Sequence, residues 1–400
     1  MLYNRQMKIG IYGGTFDPVH NGHIMAARAV MKQLKLDRVL FIVAGDPPHK
    51  QGNDITCGEV RLNMLREALR REKRFIASDI ELKRGGVSYT VDTLRQLRTE
   101  YRDAKFFFIV GADMLRDFAN WYEPEEIMKL ATLTAIGRKQ DGFSTEEQHD
   151  ELVRIAAEIE NKFGGKVILI NSYGPDISST MIRNLVRDAK PVSQYLPLEA
   201  EKLIFTKYLY FDEDTKQLCE RIKERLDESR FEHTMLVARE AVMIAERYGV
   251  DTKKARLAGM LHDCMRIGKQ ELFEYAERYG IELTDEDRAY PFVIHGILGA
   301  DAAERIFGVH DEAVIQAIRN HTIGSTDMSM LDKVLYLADK IEPSRTYRRI
   351  EHLRKLAYED IDLAVCDVMK HTMRYTMSRG MAVHPDTGRI IAALEKNNKN

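Results

Sequence analysis

The feature that most constrains this chain is residues 13–23, which read GGTFDPVHNGH. The stretch follows the apolar run 8–12 and precedes a segment in which Ile24, Ala27 and Met31 recur at the spacing of one buried helix face. The paired glycines allow a tight turn and a close approach of the backbone to a ligand. The start of a helix offers free N–H groups and a positive dipole end, which favour phosphate. We therefore predict a phosphate-binding turn between a strand and a helix.

Two histidines, His20 and His23, flank the predicted helix start. A protonated imidazole can stabilise charge on a phosphoryl group during transfer, and no residue of the turn is an evident covalent nucleophile. Two histidines alone could equally be a helix cap and a surface residue, but the complete string in its strand and helix context favours the nucleotide site. The pattern resembles the HxGH signature of the nucleotidylyltransferase superfamily.

Length and charge limit the classes of protein that fit this sequence. With 400 residues, the chain is long enough for roughly two to three domains. The net charge is −2 overall, +2 for residues 1–205 and −4 for the remainder. Neither half is the basic body of a general nucleic-acid binder, so we expect no nucleic-acid partner, although local phosphate pockets are compatible with this charge.

The cysteines and the hydropathy pattern indicate a cytoplasmic protein. The four cysteines are scattered without a CxxC motif, which argues against a disulfide framework or a zinc ribbon. The N-terminal residues lack the apolar core of a signal peptide, and no apolar run is long enough to span a bilayer. We therefore expect a reducing, cytoplasmic location and no membrane association.

Residues 1–205 alternate between strand and helix patterns. The predicted strands are 8–12, 39–44, 106–110, 133–136 and 167–170, and the predicted helices between them include 58–72, 91–101 and 146–163. This alternation favours a Rossmann-like α/β domain with a parallel sheet. Ligands bind such sheets at the carboxyl ends of the strands.

Further motifs follow the predicted strands and carry a family resemblance. They are GDPPHK at 45–50, GVSYTVDTL at 86–94, GADML at 111–115, Trp121-Tyr122 and ISSTMIR at 177–183. Together with the turn, they resemble the bacterial nicotinate-nucleotide adenylyltransferases in the same order, over about residues 7–205. The resemblance implies that ATP and nicotinate mononucleotide are joined, with magnesium, to give deamido-NAD and pyrophosphate. Another HxGH enzyme, such as a pantetheine-phosphate adenylyltransferase, is the rival interpretation, against which GGVSYTVDTL and Trp-Tyr argue.

The resemblance also implies roles for individual residues. His20 and His23 would hold the ATP phosphates, while Lys50 and Arg183 would neutralise the pyrophosphate that leaves. Trp121 would stack on the pyridine ring. The remaining nucleotide-binding residues implied are Gly13, Gly14, Thr15, Phe16, Thr90, Gly111, Asp113, Tyr122, Ser178 and Ser179. In this set the backbone near Thr90 and Tyr122 would meet the nicotinate carboxylate, and Asp113 would either orient the nucleotide or cap a helix.

No Gly/Ser-rich linker separates the two halves, and strand patterns fade after Thr215. We predict a domain boundary at about Tyr208–Asp214, with domains 1–208 and 209–400. Helical patterns occupy 215–229, 232–248, 252–261, 269–279, 292–307, 311–319, 330–341 and 360–379. The second domain is therefore predicted to be an all-α bundle.

The second domain carries His233, the pair His262-Asp263, His295, His321 and Asp339 in that order. Neutral imidazoles and carboxylates suit iron, manganese or another divalent metal. The order resembles the HD phosphohydrolase superfamily. The segment LYLADKIEPSR at 335–345 is similar to the YqeK-type subgroup, symmetrical diadenosine tetraphosphate hydrolases that use iron.

This second resemblance implies a site and a substrate. His233, His262, Asp263 and Asp339 would bind the main metal, and His295 and His321 would hold a second metal or the substrate phosphates. Arg266, Lys269 and Arg345 would be phosphate partners. The substrate would be a dinucleoside polyphosphate, hydrolysed to two ADP. An alternative is that the domain acts on another nucleotide or is a metal-bound module that senses nucleotides. A homo-oligomer is left open.

Overall fold

The computed structural model describes residues 6–45, 55–138, 145–174 and 176–397. The chain divides into two compact units. The first comprises Met1–Asn184 with Val192–Glu201, and the second comprises Leu185–Pro191 with Lys202–Asn400.

A six-stranded parallel sheet forms the centre of the first unit. Its strands are β1 Lys8–Gly14, β2 Arg38–Val43, β3 Phe75–Ser78, β4 Lys105–Gly111, β5 Thr132–Arg138 and β6 Val167–Gly174. They lie in the order β3-β2-β1-β4-β5-β6, and Ile11 of β1 pairs with Leu40 on one side and Phe108 on the other. This is a doubly wound α/β sheet, and its strand order reverses between β1 and β4, where such sheets bind ligands. The predicted α/β class is confirmed.

The sequence pattern missed β3. This strand has four residues, with Phe75 buried and Ile76 39% exposed. It lies at the sheet edge beside β2 alone. An edge strand of this length lacks the continuous apolar run that marked the central strands.

Helices connect the strands of the sheet. They are α1 Asn21–Leu34, α2 Gly58–Leu69, α3 Ile80–Arg84, α4 Thr90–Glu100, α5 Ala112–Asp117, α6 Pro124–Leu130 and α7 Thr145–Phe163, with a 3₁₀ turn at Phe118–Asn120, and two more, α8 Ser179–Arg187 and α9 Leu198–Thr206, follow the last strand. Helix α1 buries Ile24, Ala27 and Val30 on one face and ends at Lys35, which adopts the left-handed conformation. The first strand and this helix therefore hold the Gly13–His20 turn between two packed elements.

The second unit is helical, as predicted. Its helices are α10 Glu213–Lys223, α11 Glu228–Arg247, α12 Thr252–Leu261, α13 Lys269–Arg278, α14 Asp285–Ala289, α15 Pro291–Arg305, α16 Glu312–Asn320, α17 Met330–Ile341, α18 Ile350–Glu359, α19 Ile361–Ser378 and α20 Pro385–Asn397. Helices α14, α18 and α20 were not predicted. Several others start at a predicted position because an aspartate caps them: Asp251, for example, accepts hydrogen bonds from two first-turn N–H groups of α12.

Close packing of α11 against α12 positions the second site. A Cβ atom on Gly259 would lie 2.6 Å from the Cα of Ala238, so only glycine fits at this crossing. The crossing lies between His233 on α11 and His262 at the end of α12. In the described part of the chain, no helix is both long and apolar enough to cross a membrane.

Candidate active sites

A cavity of about 950 Å³ opens at the carboxyl ends of β1 and β4. Gly13 and Gly14 line it from β1, and Gly111 lines it from β4. A Cβ atom on Gly111 would meet nothing within 4 Å, and one on Gly13 would meet only Phe108, at 3.9 Å. The glycines therefore leave the backbone exposed to an open space in which a ligand can approach it closely.

Phe16, a residue of the phosphate turn, packs its ring into an aromatic cluster beside the turn. This residue has a φ of 50°, in the left-handed region, and its side chain is 2% exposed. The ring packs edge-on against His23, with ring centroids 5.0 Å apart, and against Tyr12 at 5.8 Å. The strained backbone at Phe16 is thus held by an aromatic cluster under the turn.

His20 and His23 lie together at the start of α1. His20 is the N-cap residue and is 2% exposed, and its N–H donates to Nδ1 of His23 over 3.2 Å. Their rings stack with centroids 3.6 Å apart. Because Nδ1 of His23 accepts a hydrogen bond, the proton of the neutral ring lies on Nε2, which can donate to a phosphate oxygen. A Cβ atom on Gly22 would lie 3.0 Å from two atoms of the His20 ring, so a larger residue here would require the ring to shift.

Most of the predicted residues of this site line the cavity. These are Gly13, Gly14, Thr15, Phe16, His20, His23, Thr90, Gly111, Asp113, Trp121 and Tyr122. Ser178, Ser179 and Arg183 are not among the lining residues; they lie at the start of α8, next to the same turn. Lys50 lies outside the described residues.

Contacts at the start of α8 attach it to the turn. The Ser179 hydroxyl donates to the Pro18 carbonyl over 3.0 Å, and a guanidinium nitrogen of Arg183 donates to the Asp17 carbonyl over 2.8 Å. The Ser178 hydroxyl accepts from the N–H of Met181 over 3.1 Å. Ser178 therefore caps α8, while Ser179 and Arg183 hold the Asp17-Pro18 segment.

Aromatic side chains form the other end of the cavity. Trp121 packs against Phe108 and Phe118, with ring centroids 5.9 Å and 5.5 Å away. Tyr89 and Tyr122 pair at 4.6 Å, and both are partly exposed. This end therefore presents flat π-faces on which a heteroaromatic ring can stack.

Asp113 lies near this end, at the start of α5. Its carboxylate is 73% exposed and lies 3.1 Å from Arg116. The N-cap of α5 is Gly111, so the alternative that Asp113 caps the helix is wrong.

Two buried charged residues of this region were missed by the sequence analysis. Arg61 is 2% exposed and donates to backbone carbonyls, and Glu81 is 8% exposed and lines the cavity. Arg61 is followed by the buried residues Leu62 and Leu65 in α2. The sequence signal that could have identified Arg61 was the position of an arginine within the apolar face of a predicted helix.

The metal-ligating residues predicted for the second unit come together in one cluster. One group comprises His233, His262 and Asp339, and another comprises His262, Asp263 and His321. Within each group, the candidate ligand atoms lie within 4.8 Å of one another. The distances include 3.0 Å from His233 Nε2 to Asp339 Oδ1 and 3.5 Å from His262 Nε2 to Asp263 Oδ2. The cluster is contributed by α11, the end of α12, the end of α16 and α17.

The hydrogen bonds of three histidines orient Nε2 towards this cluster. Nδ1 of His262 donates to the Gly259 carbonyl over 2.7 Å, and Nδ1 of His321 donates to the Ile318 carbonyl over 2.6 Å. Nδ1 of His233 lies 3.2 Å from a Glu342 oxygen. Such outer partners fix the tautomer in which Nε2 can bind a metal. Nε2 of His262 is buried and has no hydrogen-bond partner among the described residues, as expected of a nitrogen reserved for an ion. The donor set fits a divalent metal.

His295 is held differently. One guanidinium nitrogen of Arg266 lies 3.0 Å from its Nδ1 and 3.1 Å from its Nε2. Its Nε2 also lies 3.2 Å from Asp263 Oδ1 and 3.1 Å from Nε2 of His321, so His295 connects Arg266 to both residues of the cluster. Nε2 of His321 lies 3.6 Å from the same oxygen.

Burial and charge set the protonation states of the cluster. Burial lowers the pKa of His262 to about 3 and that of His295 to about 4. Burial opposes ionisation of Asp263, but the neighbouring histidines hold its pKa well below the ordinary value. Burial also opposes protonation of His233, yet Asp339 and Glu342 outweigh it and raise the pKa of His233. Metal binding at Nε2 of His233 would release that proton.

Cationic side chains surround the cluster. Arg345 lies 3.2 Å from Asp339 Oδ1, and Arg266 contacts His295 as described above. Lys269 begins α13, and its ammonium lies 5.7 Å from the Phe273 ring. Among the described residues it makes no hydrogen bond to the cluster.

Sequence reasoning missed three members of this site, one of which is Lys340, whose ammonium donates to Asp339 Oδ2. Arg230 donates to Asp263 Oδ2 over 2.9 Å, and Glu342 is fully buried beside His233. Arg230 lies one helical turn before His233, and Glu342 lies within the segment 335–345 that carried the resemblance. Their positions along the chain could therefore be read from the sequence, but the residues that they contact could not.

Comparisons with known proteins match the two parts of the chain separately. A cytidylyltransferase-like family model matches residues 11–185, and an HD-domain model matches residues 230–344. A protein of Clostridium novyi named a probable nicotinate-nucleotide adenylyltransferase is 37% identical over 51% of this chain and 98% of its own length.

Two further similarities were found. A Mycoplasma genitalium protein named a probable nicotinate-nucleotide adenylyltransferase/Ap4A hydrolase is 27% identical over 92% of this chain and 98% of its own length. A crystal structure from Clostridium acetobutylicum, described as a predicted HD superfamily hydrolase involved in NAD metabolism, is 34% identical over 46% of this chain and 97% of that chain, with a TM-score of 0.44.

Proposed function

This chain belongs to the nicotinate-nucleotide adenylyltransferase family and carries an HD domain after the transferase region, and we propose that it is a bifunctional enzyme. The first activity transfers the adenylyl group of ATP to nicotinate mononucleotide, giving deamido-NAD and pyrophosphate. The second hydrolyses diadenosine tetraphosphate to two ADP. The full-length similarity to the Mycoplasma protein supports the combination.

The observation that carries the first activity is the cavity at the strand-order reversal, with His20 and His23 at the start of α1. The 5′-phosphate of nicotinate mononucleotide attacks the α-phosphorus of ATP, and the bond between the α- and β-phosphates breaks to release pyrophosphate. Nucleotidyl transfer of this kind depends on positioning and charge stabilisation more than on covalent help. The exposed backbone of the turn and Nε2–H of His23 would bind the phosphates, and ATP would bring Mg²⁺.

We assign the aromatic end of the cavity to the nicotinate ring. Trp121 would stack on the ring, and backbone N–H groups near Thr90 and Tyr122 would bind its carboxylate. Lys50 and Arg183 would neutralise the leaving pyrophosphate; Arg183 would have to rotate from the Asp17 carbonyl to reach it. Ser178 would act by capping α8 and Ser179 by holding the turn, and Asp113, the exposed acid, would contact the nucleotide.

A substrate comparison tests this assignment. The full chain is supplied with ATP and Mg²⁺ together with nicotinate mononucleotide, its nicotinamide counterpart or pantetheine 4′-phosphate, and the products are separated by chromatography. We expect a kcat/KM for the nicotinate form that exceeds the other two, because a site built to bind a carboxylate leaves polar groups unpaired with the wrong substrate. Equal values for the nicotinate and nicotinamide forms would contradict the assignment.

The observation that carries the second activity is the buried cluster around His262 and Asp263. His233, His262, Asp263, His321 and Asp339 would hold one or two divalent metals. Bound iron or manganese supplies a metal-activated water near neutral pH and polarises the phosphoryl group. His295, Arg266 and Arg345 would bind the phosphates on either side of the attacked phosphorus. Lys269 would contribute at most to the outer part of the polyphosphate.

Product analysis tests this second activity. The full chain is freed of metal by chelation and dialysis, resupplied with Fe²⁺ or Mn²⁺, and given diadenosine tetraphosphate. We expect ADP alone, since symmetric products require attack at an inner phosphate. ATP plus AMP would overturn the symmetric reaction. Metal-dependent binding without turnover would instead favour the alternative of a nucleotide-sensing module, and turnover of another nucleotide alone would favour a different substrate.

We further propose domain limits, location and assembly consistent with these activities. The transferase domain would span 1–208 and the HD domain 209–400, and the two matched regions fall on either side of this boundary. All four cysteines are free thiols, three of them buried, which agrees with a cytoplasmic enzyme. A homo-oligomer would be detected by light scattering.

A further inference from the structure

One buried arginine connects three backbone segments around the transferase cavity. The guanidinium of Arg61 donates to the Thr15 carbonyl over 2.7 Å, to the Ala44 carbonyl over 3.0 Å and to the Thr56 carbonyl over 2.8 Å. Thr15 belongs to the phosphate turn, Ala44 follows β2, and Thr56 precedes α2. Thr15 and Ala44 both line the cavity.

The peptide group between Ala44 and Gly45 is held from both ends. Arg61 binds its carbonyl, and a carboxylate oxygen of Glu81 accepts its N–H over 3.3 Å. The N–H of Ala44 in turn donates to the Gly14 carbonyl over 2.9 Å. The exit of β2 and the phosphate turn are therefore fixed to each other by buried hydrogen bonds.

Two further features place Gly45 and Thr56 close to neighbouring segments. A Cβ atom on Gly45 would lie 3.0 Å from the Glu81 carbonyl oxygen and 3.0 Å from the Ser88 hydroxyl, so a side chain at this position would press on both groups. The N–H of Thr56 donates to the Asp17 carboxylate over 3.1 Å, which attaches the same segment to the far end of the turn.

The hydrogen bonds of Arg61 give it a role in the turn that an apolar side chain of similar size could not fill. Burying a guanidinium is costly unless its donors are satisfied, and an apolar side chain would fill the same space without that cost. What an apolar residue cannot do is fix three carbonyls at once, for which the planar fork of arginine is suited. The bond from Arg61 occupies the carbonyl of Thr15, a residue that lines the cavity.

We infer that Arg61 is a positioning residue for adenylyl transfer, which holds the phosphate turn and the exit of β2 in the arrangement that binds the phosphates of ATP. The inference rests on the proposed transferase activity. Arg61 itself does not line the cavity and is not expected to touch the substrate.

The chain offers a matched control for this role. Arg98, in the same domain, also donates to backbone carbonyls, to Ala104 over 2.6 Å and to Leu130 over 2.8 Å, and does not line the cavity. Arg98→Met therefore removes a comparable carbonyl-binding arginine remote from the turn. Arg61→Met removes the positive charge and the guanidinium N–H donors. Arg61→Lys keeps the positive charge, but its single ammonium group can bind fewer of the carbonyls.

The chain also contains a built-in reporter. Trp121 is the only tryptophan of the sequence and lines the cavity. Its fluorescence can follow the binding of ATP with Mg²⁺, and of nicotinate mononucleotide, in each full-length variant without any turnover. Circular dichroism recorded at increasing temperature identifies the temperature range in which all the compared variants are folded.

We expect Arg61→Met to lower kcat for adenylyl transfer by about 100-fold, because a displacement of about 1 Å at a reacting group can cost that much. ATP binding should weaken, whereas the dissociation constant of nicotinate mononucleotide should match wild type. Arg61→Lys should lie between the two, and Arg98→Met should retain wild-type kcat and binding. If Arg61→Met does not fold, Arg61→Lys carries the same comparison.

Three results would overturn the inference. They are equal kcat for Arg61→Met and Arg98→Met, full wild-type activity in Arg61→Lys, or an equal loss of both substrates' binding in Arg61→Met. A failure of the proposed function looks different: the wild-type chain itself would then form no deamido-NAD.

Discussion

The two candidate sites of this protein are built on opposite principles. The transferase site is formed largely by consecutive residues, Gly13 to His23, and by the ends of two adjacent strands around an open cavity. The HD site is formed by side chains from four helical segments, with Asp339 and His233 in contact across 106 positions of sequence. The first exposes backbone, and the second buries ionisable side chains.

This difference predicts different sensitivities. A phosphate turn distributes its work over several backbone N–H groups and two imidazoles, so the loss of one group leaves part of the site intact. A metal cluster depends on each ligand, because the ion that performs the chemistry is lost with them. The predictions below test that contrast, beginning with the largest effect.

Asp263→Ala should reduce hydrolysis of diadenosine tetraphosphate to background. Its carboxylate lies 3.5 Å from His262 Nε2 and 3.6 Å from His321 Nε2, so its removal takes away the one carboxylate that is close to both nitrogens among the described residues. The metal content of the purified protein should fall, and chromatography should detect no ADP.

The matched control is Asp327→Ala, which changes an exposed aspartate outside the cluster. Adenylyl transfer should persist in both variants. Hydrolysis at the wild-type rate in Asp263→Ala would show that the cluster is not the active site and would remove the contrast.

His20→Ala should lower kcat for adenylyl transfer by about 10²–10³-fold, the usual effect of deleting one preorganised stabilising group. The residue is buried at the N-cap of α1 and lines the cavity. Deamido-NAD formation measures the effect, and hydrolysis by the HD domain serves as the internal control.

His149→Ala, which changes a histidine of α7 in the same domain, should leave the rate unchanged. Near-wild-type turnover by His20→Ala would mean that the backbone of the turn suffices without this imidazole.

Glu342→Gln should weaken metal binding by about 10–100-fold, as expected when an outer partner of a ligating histidine is lost. Glu342 is fully buried and lies 3.2 Å from Nδ1 of His233, so glutamine keeps the size but removes the charge. Titration of the metal-free chain with Mn²⁺, followed by calorimetry, measures the change.

Glu351→Gln is the control, since the Glu351 side chain is 82% exposed. An unchanged affinity in Glu342→Gln would indicate that His233 needs no carboxylate to orient it.

Gly22→Ala should produce the smallest effect, a decrease in kcat of about 10-fold, within the range expected when a catalytic group is displaced by less than about 1 Å. The new Cβ atom would lie 3.0 Å from the His20 ring, which must shift. Gly388→Ala, at a helical glycine with open space around it, is the control. A rate equal to that of His20→Ala would show that the position of the ring matters as much as its presence.

Much of the fold could be predicted because it follows from local patterns. Buried parallel strands appear as continuous apolar runs, and helices such as α12 and α17 begin after Asp251 and Ser329, whose side chains accept first-turn N–H bonds. The short edge strand β3 escaped prediction because half of it faces solvent, and α14 because its five residues bury no side chain. Local signals weaken where burial is partial.

The sites divide in the same way. The turn could be recognised because its glycines, histidines and helix start are adjacent in sequence, and the HD ligands because their order carries a resemblance. The roles of Glu342, Arg230 and Lys269 could not be judged, since each depends on whether the fold brings it to the cluster. In the structure, Glu342 contacts His233 and Arg230 contacts Asp263.

The sequence by itself determined the two fold classes and the phosphate turn, because periodicity and turn chemistry act over short distances, and it identified the candidate metal ligands through the family resemblance of their order. Only the tertiary structure decided that Arg61 binds Thr15, 46 positions away, and that Nδ1 of His295 faces Arg266 while Nδ1 of His262 faces a backbone carbonyl. Hydrogen-bond partners and buried charge depend on which segments meet in space. Residues that are far apart in the sequence carry no local signal that they will be in contact.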